Sequence, residues 1–267
     1  MRRVLHTLYE YLALWLGLGL LAVITLSWTL VAIPAYYLLP HKRGVILGRN
    51  GITQGFRLYL WCLAAMGACR FDLTELDELR TAGPLILAPN HPCLLDAFFV
   101  FSRLSNVVCI MKANILDNVF LGAGARLAGY IRNDSALSMV LQAEKELQGG
   151  AHLLVFPEGT RTTRWPVNEF TTGIAHVARR GGVPVQTLII ETTSPYLSKG
   201  WPLFRRPAMP IHYRVRLGRR FDAPKNGKAF SAELEAYFRE EMQDVPSFLH
   251  PDVLAASHPD GSLRKAD

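Results

Sequence analysis

The sequence has few cysteines and few charged residues, and it contains no internal repeat or low-complexity linker. Its four cysteines form no Cys-x-x-Cys pair and show no zinc-like spacing with histidines. We therefore expect buried free thiols in a reducing compartment and no metal site. Nucleic-acid binding is not expected, because no groove-reading helix motif and no aromatic-basic RNA motif occurs.

The composition indicates one folded domain with an apolar appendage. A chain of 267 residues can bury one sizeable core with one further element. Half of the residues are hydrophobic and the formal net charge is +7. A positive charge of this size suits anionic partners, such as acidic lipid headgroups or phosphorylated substrates.

Charge is absent from a long stretch near the N-terminus, residues 11–40. At about 1.5 Å per residue, the part before Pro34 extends roughly 35 Å, enough for a hydrocarbon core of about 30 Å. The stretch therefore predicts an apolar membrane-anchoring helix over residues 11–39. A second apolar stretch, residues 57–69, is too short to cross and carries Trp61 near basic residues. It predicts an interfacial helix, so the anchor is a helix or a helix pair.

These patterns divide the chain into three parts. Residues 1–70 form the predicted membrane anchor, residues 71–249 a folded domain, and residues 250–267 a loose tail. The sequence leaves open whether the anchor spans the bilayer or dips into one leaflet.

Short apolar runs and helical patterns alternate after residue 70. The runs that predict buried strands are residues 85–89, 107–111, 152–156 and 185–190. The helical patterns cover residues 136–147, 172–179 and 229–242. Such alternation predicts an α/β domain with a mixed, mostly buried sheet flanked by helices. Residues 211–217 alternate polar with apolar side chains, which predicts a strand with one wet face at a sheet edge.

A histidine and an aspartate follow the first predicted strand. The pair Asn90-His91 comes directly after it, and a histidine there can take a proton from a hydroxyl that attacks a carbonyl. A carboxylate would hold the other ring nitrogen in its N–H form. Asp96 lies five positions on, and a regular helix would place the two about 140° apart. The pair therefore requires His91 in a turn and Asp96 in the first turn of the next helix.

A second polar turn, residues 156–161, follows another predicted strand directly. Its sequence is Phe-Pro-Glu-Gly-Thr-Arg. Pro157 and Gly159 place Glu158 in a tight turn, and Arg161 offers a planar fork suited to phosphate or carboxylate. Two such turns at the strand ends of one sheet predict a base and an anion-binding group at one edge.

In this order, the motifs resemble those of the glycerolipid acyltransferases typified by 1-acyl-sn-glycerol-3-phosphate acyltransferase. The resemblance covers about residues 80–192, and the third motif matches at every position. The matching positions are Asn90, His91 and Asp96 in the first motif, residues 112–122 with 129–132 in the second, 156–161 in the third and 183–185 in the fourth.

The resemblance implies that His91 is the base and Asp96 its orienting partner. It also implies a set of substrate-binding residues: Lys112, Arg132, Glu158, Gly159, Thr160 and Arg161. The expected reaction moves a fatty acyl group from acyl-CoA or acyl carrier protein to a lysophospholipid, without metal or other cofactor. The expected location is a membrane with the active site on its cytoplasmic side, the inner membrane if the source is bacterial.

Three alternatives to this function stay open at the level of sequence, and the third is a non-catalytic membrane-bound scaffold. The acceptor could be an amino-acid lipid or an aryl polyene instead of a glycerolipid. Cys93 stands where the family commonly has serine, so a thioesterase using Cys93, His91 and Asp96 is a second possibility. Residues 196–206 mix aromatic with basic side chains and are either a contact with anionic lipid or a basic surface loop.

Overall fold

The computed structural model describes residues 1–245 and 247–250. The helices are α1 (Arg2–Leu38), α2 (His41–Ala65), α3 (Asp96–Arg103), α4 (Ala113–Asp117), α5 (Val119–Leu127), α6 (Ala136–Gln148), α7 (Gly173–Gly181) and α8 (Gly227–Glu241). The strands are β1 (Cys69–Asp72), β2 (Ile86–Pro89), β3 (Val107–Met111), β4 (Ile131–Arg132), β5 (His152–Leu154), β6 (Val185–Glu191) and β7 (Ile211–Phe221). A 3-10 helix covers Thr74–Thr81. Of the predicted loose tail, residues 251–267 lie outside the described residues.

The seven strands form one mixed sheet in the order β1-β7-β6-β2-β5-β3-β4. Only the β6–β7 pair is antiparallel, and every other neighbouring pair is parallel. The central strands β2 and β5 are buried along their whole lengths, as their unbroken apolar runs indicate. The predicted α/β class with a mixed, mostly buried sheet is confirmed.

Helices cover both faces of this sheet. The crossovers β2–α3–β3 and β5–α7–β6 run in opposite directions across it, so right-handed connections place α3 and α7 on opposite faces. Helix α2 contacts α3 and α5, and α1 contacts α2 and α5. Helix α7 contacts α6 and α8. The apolar N-terminal helices therefore belong to the α3 face, and α6 to α8 form the other.

The prediction that residues 211–217 lie at a sheet edge is wrong. Strand β7 lies between β6 and β1, which pairs with it from Cys69 opposite Ile211 to Asp72 opposite Arg214. The alternation of buried and exposed side chains along β7 is present. Alternation shows that one face of a strand is exposed to solvent. It does not show whether the strand pairs with a neighbour on each side. Strand β1 was not predicted from the sequence, because two of its four residues are charged.

The N-terminal helices are longer than predicted. Helix α1 starts at Arg2 instead of residue 11, since the charged residues at its start do not interrupt the helix. Helix α2 covers His41–Ala65 instead of residues 57–69. Its glycines weaken the helical pattern but permit close packing: a Cβ atom on Gly48 would lie 2.5 Å from the nitrogen of Ala128. The division of the chain at residue 70 stays a prediction.

Helices α1 and α2 form an antiparallel pair. Leu63 lies beside Gly17, and Trp28 lies beside Gly51. One stripe of α1 is buried, while its other face exposes large apolar side chains. These include Val4, Leu5, Leu8, Leu12, Trp15, Leu16, Val23, Leu26 and Leu30. By length and composition, α1 is the one described helix that could cross a membrane.

All four cysteines are free thiols, and Cys69, Cys93 and Cys109 are buried while Cys62 is partly so. The expected buried free thiols are therefore present in three of the four positions.

Candidate active site

The site begins where β2 ends. The side-chain amide of Asn90 donates to the carbonyl of Ile190 (2.9 Å) and accepts from the Ile190 N–H (2.7 Å). These two bonds tie the end of β2 to its neighbour β6. His91 therefore leaves the sheet from a rigid point at the carboxyl edge, where parallel α/β sheets usually place their functional groups.

His91 and Asp96 lie within hydrogen-bonding distance. Helix α3 begins at Asp96, and Oδ2 of this residue is 2.8 Å from Nδ1 of His91. The imidazole stacks on the ring of Phe156 with 3.8 Å between centroids. With Nδ1–H donated to the carboxylate, Nε2 has no partner among the described residues, and the side chain is 16% exposed. The turn-then-helix geometry that the five-residue spacing required is present.

Cys93 hydrogen-bonds to the same carboxylate. Its thiol donates to Oδ1 of Asp96 (2.9 Å), and its backbone N–H donates to Oδ2 (2.9 Å). Complete burial and the adjacent charge of Asp96 raise the pKa of the Cys93 thiol well above its ordinary value. The thiol therefore stays protonated and donates a hydrogen bond to Asp96. A serine hydroxyl at this position could donate the same bond.

The side chain of Glu158 connects the turn at His91 with the turn at residues 156–161. Its buried carboxylate accepts from the N–H of His91 (3.0 Å) and the hydroxyl of Thr162 (2.6 Å) through Oε1, and from the N–H of Asn168 (2.9 Å) through Oε2. The N–H of Thr162 in turn donates to the carbonyl of His91 (2.7 Å). Burial raises the pKa of Glu158, and these hydrogen bonds partly oppose that rise. Glu158 thus positions the backbone of His91, a role that the resemblance did not indicate.

Replacing Glu158 with glutamine is expected to lower the free energy of unfolding by about 1–3 kcal/mol. The amide NH2 must face a donor, either the His91 N–H with Thr162 or the Asn168 N–H, and leaves that donor unsatisfied. Urea denaturation of the variant measures the change. Glu169→Gln, in the same segment but exposed, is the matched control and should leave the midpoint unchanged. Equal midpoints for the two variants would contradict this role for Glu158.

The remaining residues of the second turn are Gly159, Thr160 and Arg161. Gly159 has φ +66°, a left-handed conformation that favours glycine, and Thr160 is partly buried. Nη1 of Arg161 donates to the carbonyls of Leu197 and Ser198, both at 2.9 Å. The guanidinium is therefore fixed by the connection between β6 and β7 instead of moving freely in solvent.

Lys112 and Arg132 lie farther along the same edge. Lys112 follows β3 and Arg132 ends β4. Three inter-strand steps separate β2 from β4, or roughly 14 Å. Arg132 bonds both oxygens of Asp117 (2.6 and 3.2 Å) and one of Asp134 (2.8 Å). Substrate binding by the six predicted residues, Lys112, Arg132, Glu158, Gly159, Thr160 and Arg161, stays a prediction.

Sequence reasoning missed the residues that hold this site in place. Thr162, Asn168 and the carbonyls of Leu197 and Ser198 fix Glu158 and Arg161, but no local spacing marks them. Thr162 and Asn168 reach Glu158 within one irregular connection, whereas Leu197 and Ser198 are brought to Arg161 by the order of the strands. Within residues 1–245 and 247–250, no cluster of three His, Cys, Asp or Glu side chains could hold a metal ion.

Comparisons with known proteins show what this chain is similar to. Residues 70–191 match the family model described as Acyltransferase. A 1-acyl-sn-glycerol-3-phosphate acyltransferase of Pseudomonas aeruginosa is 24% identical over 78% of this chain and 80% of the relative. Another of that name from Limnanthes douglasii is 31% identical over 47% of each chain.

A solved structure shares the fold. It is the 1-acyl-sn-glycerophosphate (LPA) acyltransferase PlsC from Thermotoga maritima, with TM-score 0.68 and 17% identity over 91% of this chain and 97% of that one. The family match identifies residues 70–191 as an acyltransferase domain. The named relatives are 1-acyl-sn-glycerol-3-phosphate acyltransferases, so within that class the chain is similar to the glycerolipid acyltransferases.

Proposed function

We propose that this protein transfers a fatty acyl group from a thioester to the hydroxyl of 1-acyl-sn-glycerol-3-phosphate, with His91 as the base. The observation that carries the proposal is the 2.8 Å contact between His91 and the buried Asp96 at the carboxyl edge of the sheet. The names of the relatives from Pseudomonas and Limnanthes support the acceptor.

The reaction needs one proton to move twice. Nε2 of His91 takes the proton of the acceptor hydroxyl as the oxygen attacks the thioester carbonyl. Asp96 stabilises the imidazolium that forms, because its carboxylate accepts from Nδ1–H. When the tetrahedral intermediate collapses, the C–S bond breaks and the sulfur receives the proton from Nε2. The products are the ester and the free thiol.

The oxyanion of the intermediate requires hydrogen-bond donors. The N–H groups of Cys93, Leu94 and Gly159 already donate to Asp96, Leu197 and Phe156 respectively. The N–H groups of Thr160 and Arg161 donate to no atom of the described residues. These two are the candidates for the oxyanion site.

Two features favour a phosphorylated acceptor. Arg161 lies on the turn bonded to His91 and presents a guanidinium whose other nitrogens stay available for a phosphate. Lys112 adds an exposed ammonium on the same edge.

The packing of α1 favours attachment to one leaflet. Glu10 binds the connection between β6 and β7 through Arg206 and the Met209 N–H (3.1 Å), and Thr29 donates to the carbonyl of Phe120 on α5 (2.7 Å). Nineteen helical residues extend about 28 Å, nearly a hydrocarbon thickness. A spanning α1 would place two parts of one folded domain on opposite sides of the bilayer. The exposed apolar face of α1 therefore lies in one leaflet, on the cytoplasmic side where acyl-CoA and acyl carrier protein occur.

The thioesterase alternative requires Cys93 as a nucleophile. Its burial, its hydrogen bond to Asp96 and its raised pKa all oppose a reactive thiolate. Cys93→Ser is expected to keep most of the transfer activity, because a hydroxyl can donate to Asp96. Cys93→Ala should lose about tenfold, the worth of one hydrogen bond to a charged group. Kinetics of both variants measure this, and a loss as large as that of His91→Ala in the alanine variant would favour the nucleophile.

The proposed acceptor is tested with the purified protein in mixed micelles. The expected product from labelled lysophosphatidate and either acyl-CoA or acylated carrier protein is phosphatidate, and the faster donor identifies the carrier. Lysophosphatidylcholine is the matched acceptor, since its phosphate lacks the monoester dianion. Transfer to an amino-acid lipid or a hydroxylated aryl polyene, without transfer to lysophosphatidate, would show that the proposed acceptor is wrong.

A further inference from the structure

The connection between β6 and β7 joins the catalytic turns to the apolar helix α1. Its inner part, Tyr196 to Ser198, is buried. There the carbonyl of Leu197 accepts from Nη1 of Arg161 (2.9 Å) and from the N–H of Leu94 (3.1 Å), which lies between His91 and Asp96. Leu197 has φ +59°, a left-handed conformation that is uncommon for leucine. This part of the connection is thus held by both polar turns of the active site.

The outer part, residues 201–206, lies against the N-terminal half of α1. Phe204 stacks on Trp15 with 5.0 Å between ring centroids, and Arg206 lies 5.5 Å from the ring centre of Tyr11. Arg206 also forms an ion pair with the buried Glu10. An acidic residue inside an apolar helix is costly unless paired, so this pair fixes the outer part on α1.

The outer part presents an apolar and basic surface. Leu203 and Phe204 are 46% and 60% exposed, and they continue the exposed face of α1 at Trp15. Arg205 is exposed with its guanidinium 4.8 Å from the ring centre of Trp201, and Lys199 is exposed nearby in the chain. Aromatic rings with cations beside them are typical of the interface between hydrocarbon and lipid headgroups.

We infer that residues 199–206 form a second membrane contact, with Leu203 and Phe204 below the headgroups and Lys199 and Arg205 among anionic ones. The inference rests on the attachment of α1 to one leaflet proposed above. Because α1 carries Trp15 against Phe204, a leaflet that covers the exposed face of α1 at this level also reaches the connection. The partner is an anionic bilayer surface, and the contact fixes the carbonyls that hold Arg161.

A fluorophore placed on the connection tests this. Leu203→Cys, labelled with a bimane in the full chain, is bound to phosphatidylcholine–phosphatidylglycerol vesicles that contain brominated lipid. The matched control is Leu137→Cys on α6, 72% exposed on the opposite face of the sheet. Quenching at position 203 should exceed that at position 137 by about twofold or more, as for a side chain below the headgroups. The unsubstituted chain corrects for label on Cys62.

A second test uses charge variants and requires no fluorophore. Lys199→Gln with Arg205→Gln should weaken binding to anionic vesicles by about 30-fold, from about 1 kcal/mol for each cation. Binding to phosphatidylcholine vesicles should not change. Lys225→Gln with Lys228→Gln, an exposed pair at the start of α8, should bind like the unsubstituted chain.

The outcomes separate this inference from the proposed function. Equal quenching at positions 203 and 137 in a chain that binds vesicles and transfers acyl groups would overturn the second contact alone. Equal binding by the two charge variants would do the same. A chain that transfers acyl groups but binds no vesicle would overturn the leaflet attachment and this contact with it, while a vesicle-bound chain without transfer would count against the proposed reaction only.

Discussion

Replacing His91 with alanine is expected to lower the turnover of acyl transfer by about 10²- to 10⁴-fold, the usual worth of a general base. Nε2 of His91 has no partner among the described residues and lies at the sheet edge, while Nδ1 is held by Asp96. The imidazole of His6 also lies beside a carboxylate, that of Glu10 (3.3 Å), but it is on α1 and not at the end of β2. Initial rates with saturating acceptor and donor measure the effect.

The control for this variant is His212→Ala. His212 is an exposed histidine on β7 and is not part of the candidate site. Its replacement should leave turnover unchanged, and the thermal midpoints of both variants should stay near that of the parent. If His91→Ala retained full turnover with its fold intact, the catalytic assignment would fail and the role of Asp96 with it.

Asp96→Asn is expected to lower turnover by about 10²- to 10³-fold through the loss of one negative charge. Two donors, Nδ1–H of His91 and the N–H of Cys93, converge on Oδ2. They favour the orientation that places the oxygen of the new amide there, so the histidine keeps Nε2 free. The imidazolium that forms during attack then lacks its stabilising charge.

A further variant distinguishes the effect of the Asp96 charge from the effect of its hydrogen bond on the orientation of His91. A second substitution, Asp96→Ala, removes both the charge and the acceptor for Nδ1–H, and should lower turnover further than Asp96→Asn. Asp222→Asn, at an exposed position after β7, is the matched control and should behave like the parent. Similar turnover in Asp96→Asn and Asp222→Asn would show that the carboxylate charge does not assist the reaction.

The hydrogen bonds around these two residues explain why a short motif is sufficient to locate the site. The first motif supplies the His91–Asp96 contact within five residues. The third supplies Glu158, which fixes the backbone of His91 from a neighbouring strand end. Each motif is a local turn at the end of a buried strand, so apolar runs and turn residues are enough to place both at one edge.

The same reasoning fails where a contact joins distant parts of the chain. Glu158 and His91 are separated by 67 residues, and the sequence did not indicate the hydrogen bond that joins them. Arg161 and Leu197 are 36 residues apart. These contacts depend on the order of strands in the sheet, which hydrophobic periodicity does not encode.

The sequence by itself determined the apolar helix, the buried strands and the residues that meet within one turn, because burial and chain direction leave local patterns in residue type. The tertiary structure alone decided that β7 has a neighbour on each side, that α2 extends over 25 residues, and that α1 is bound to the rest of the domain through both Glu10 and Thr29. These features arise from packing between segments far apart in the chain, where close fit and paired polar groups override the local pattern.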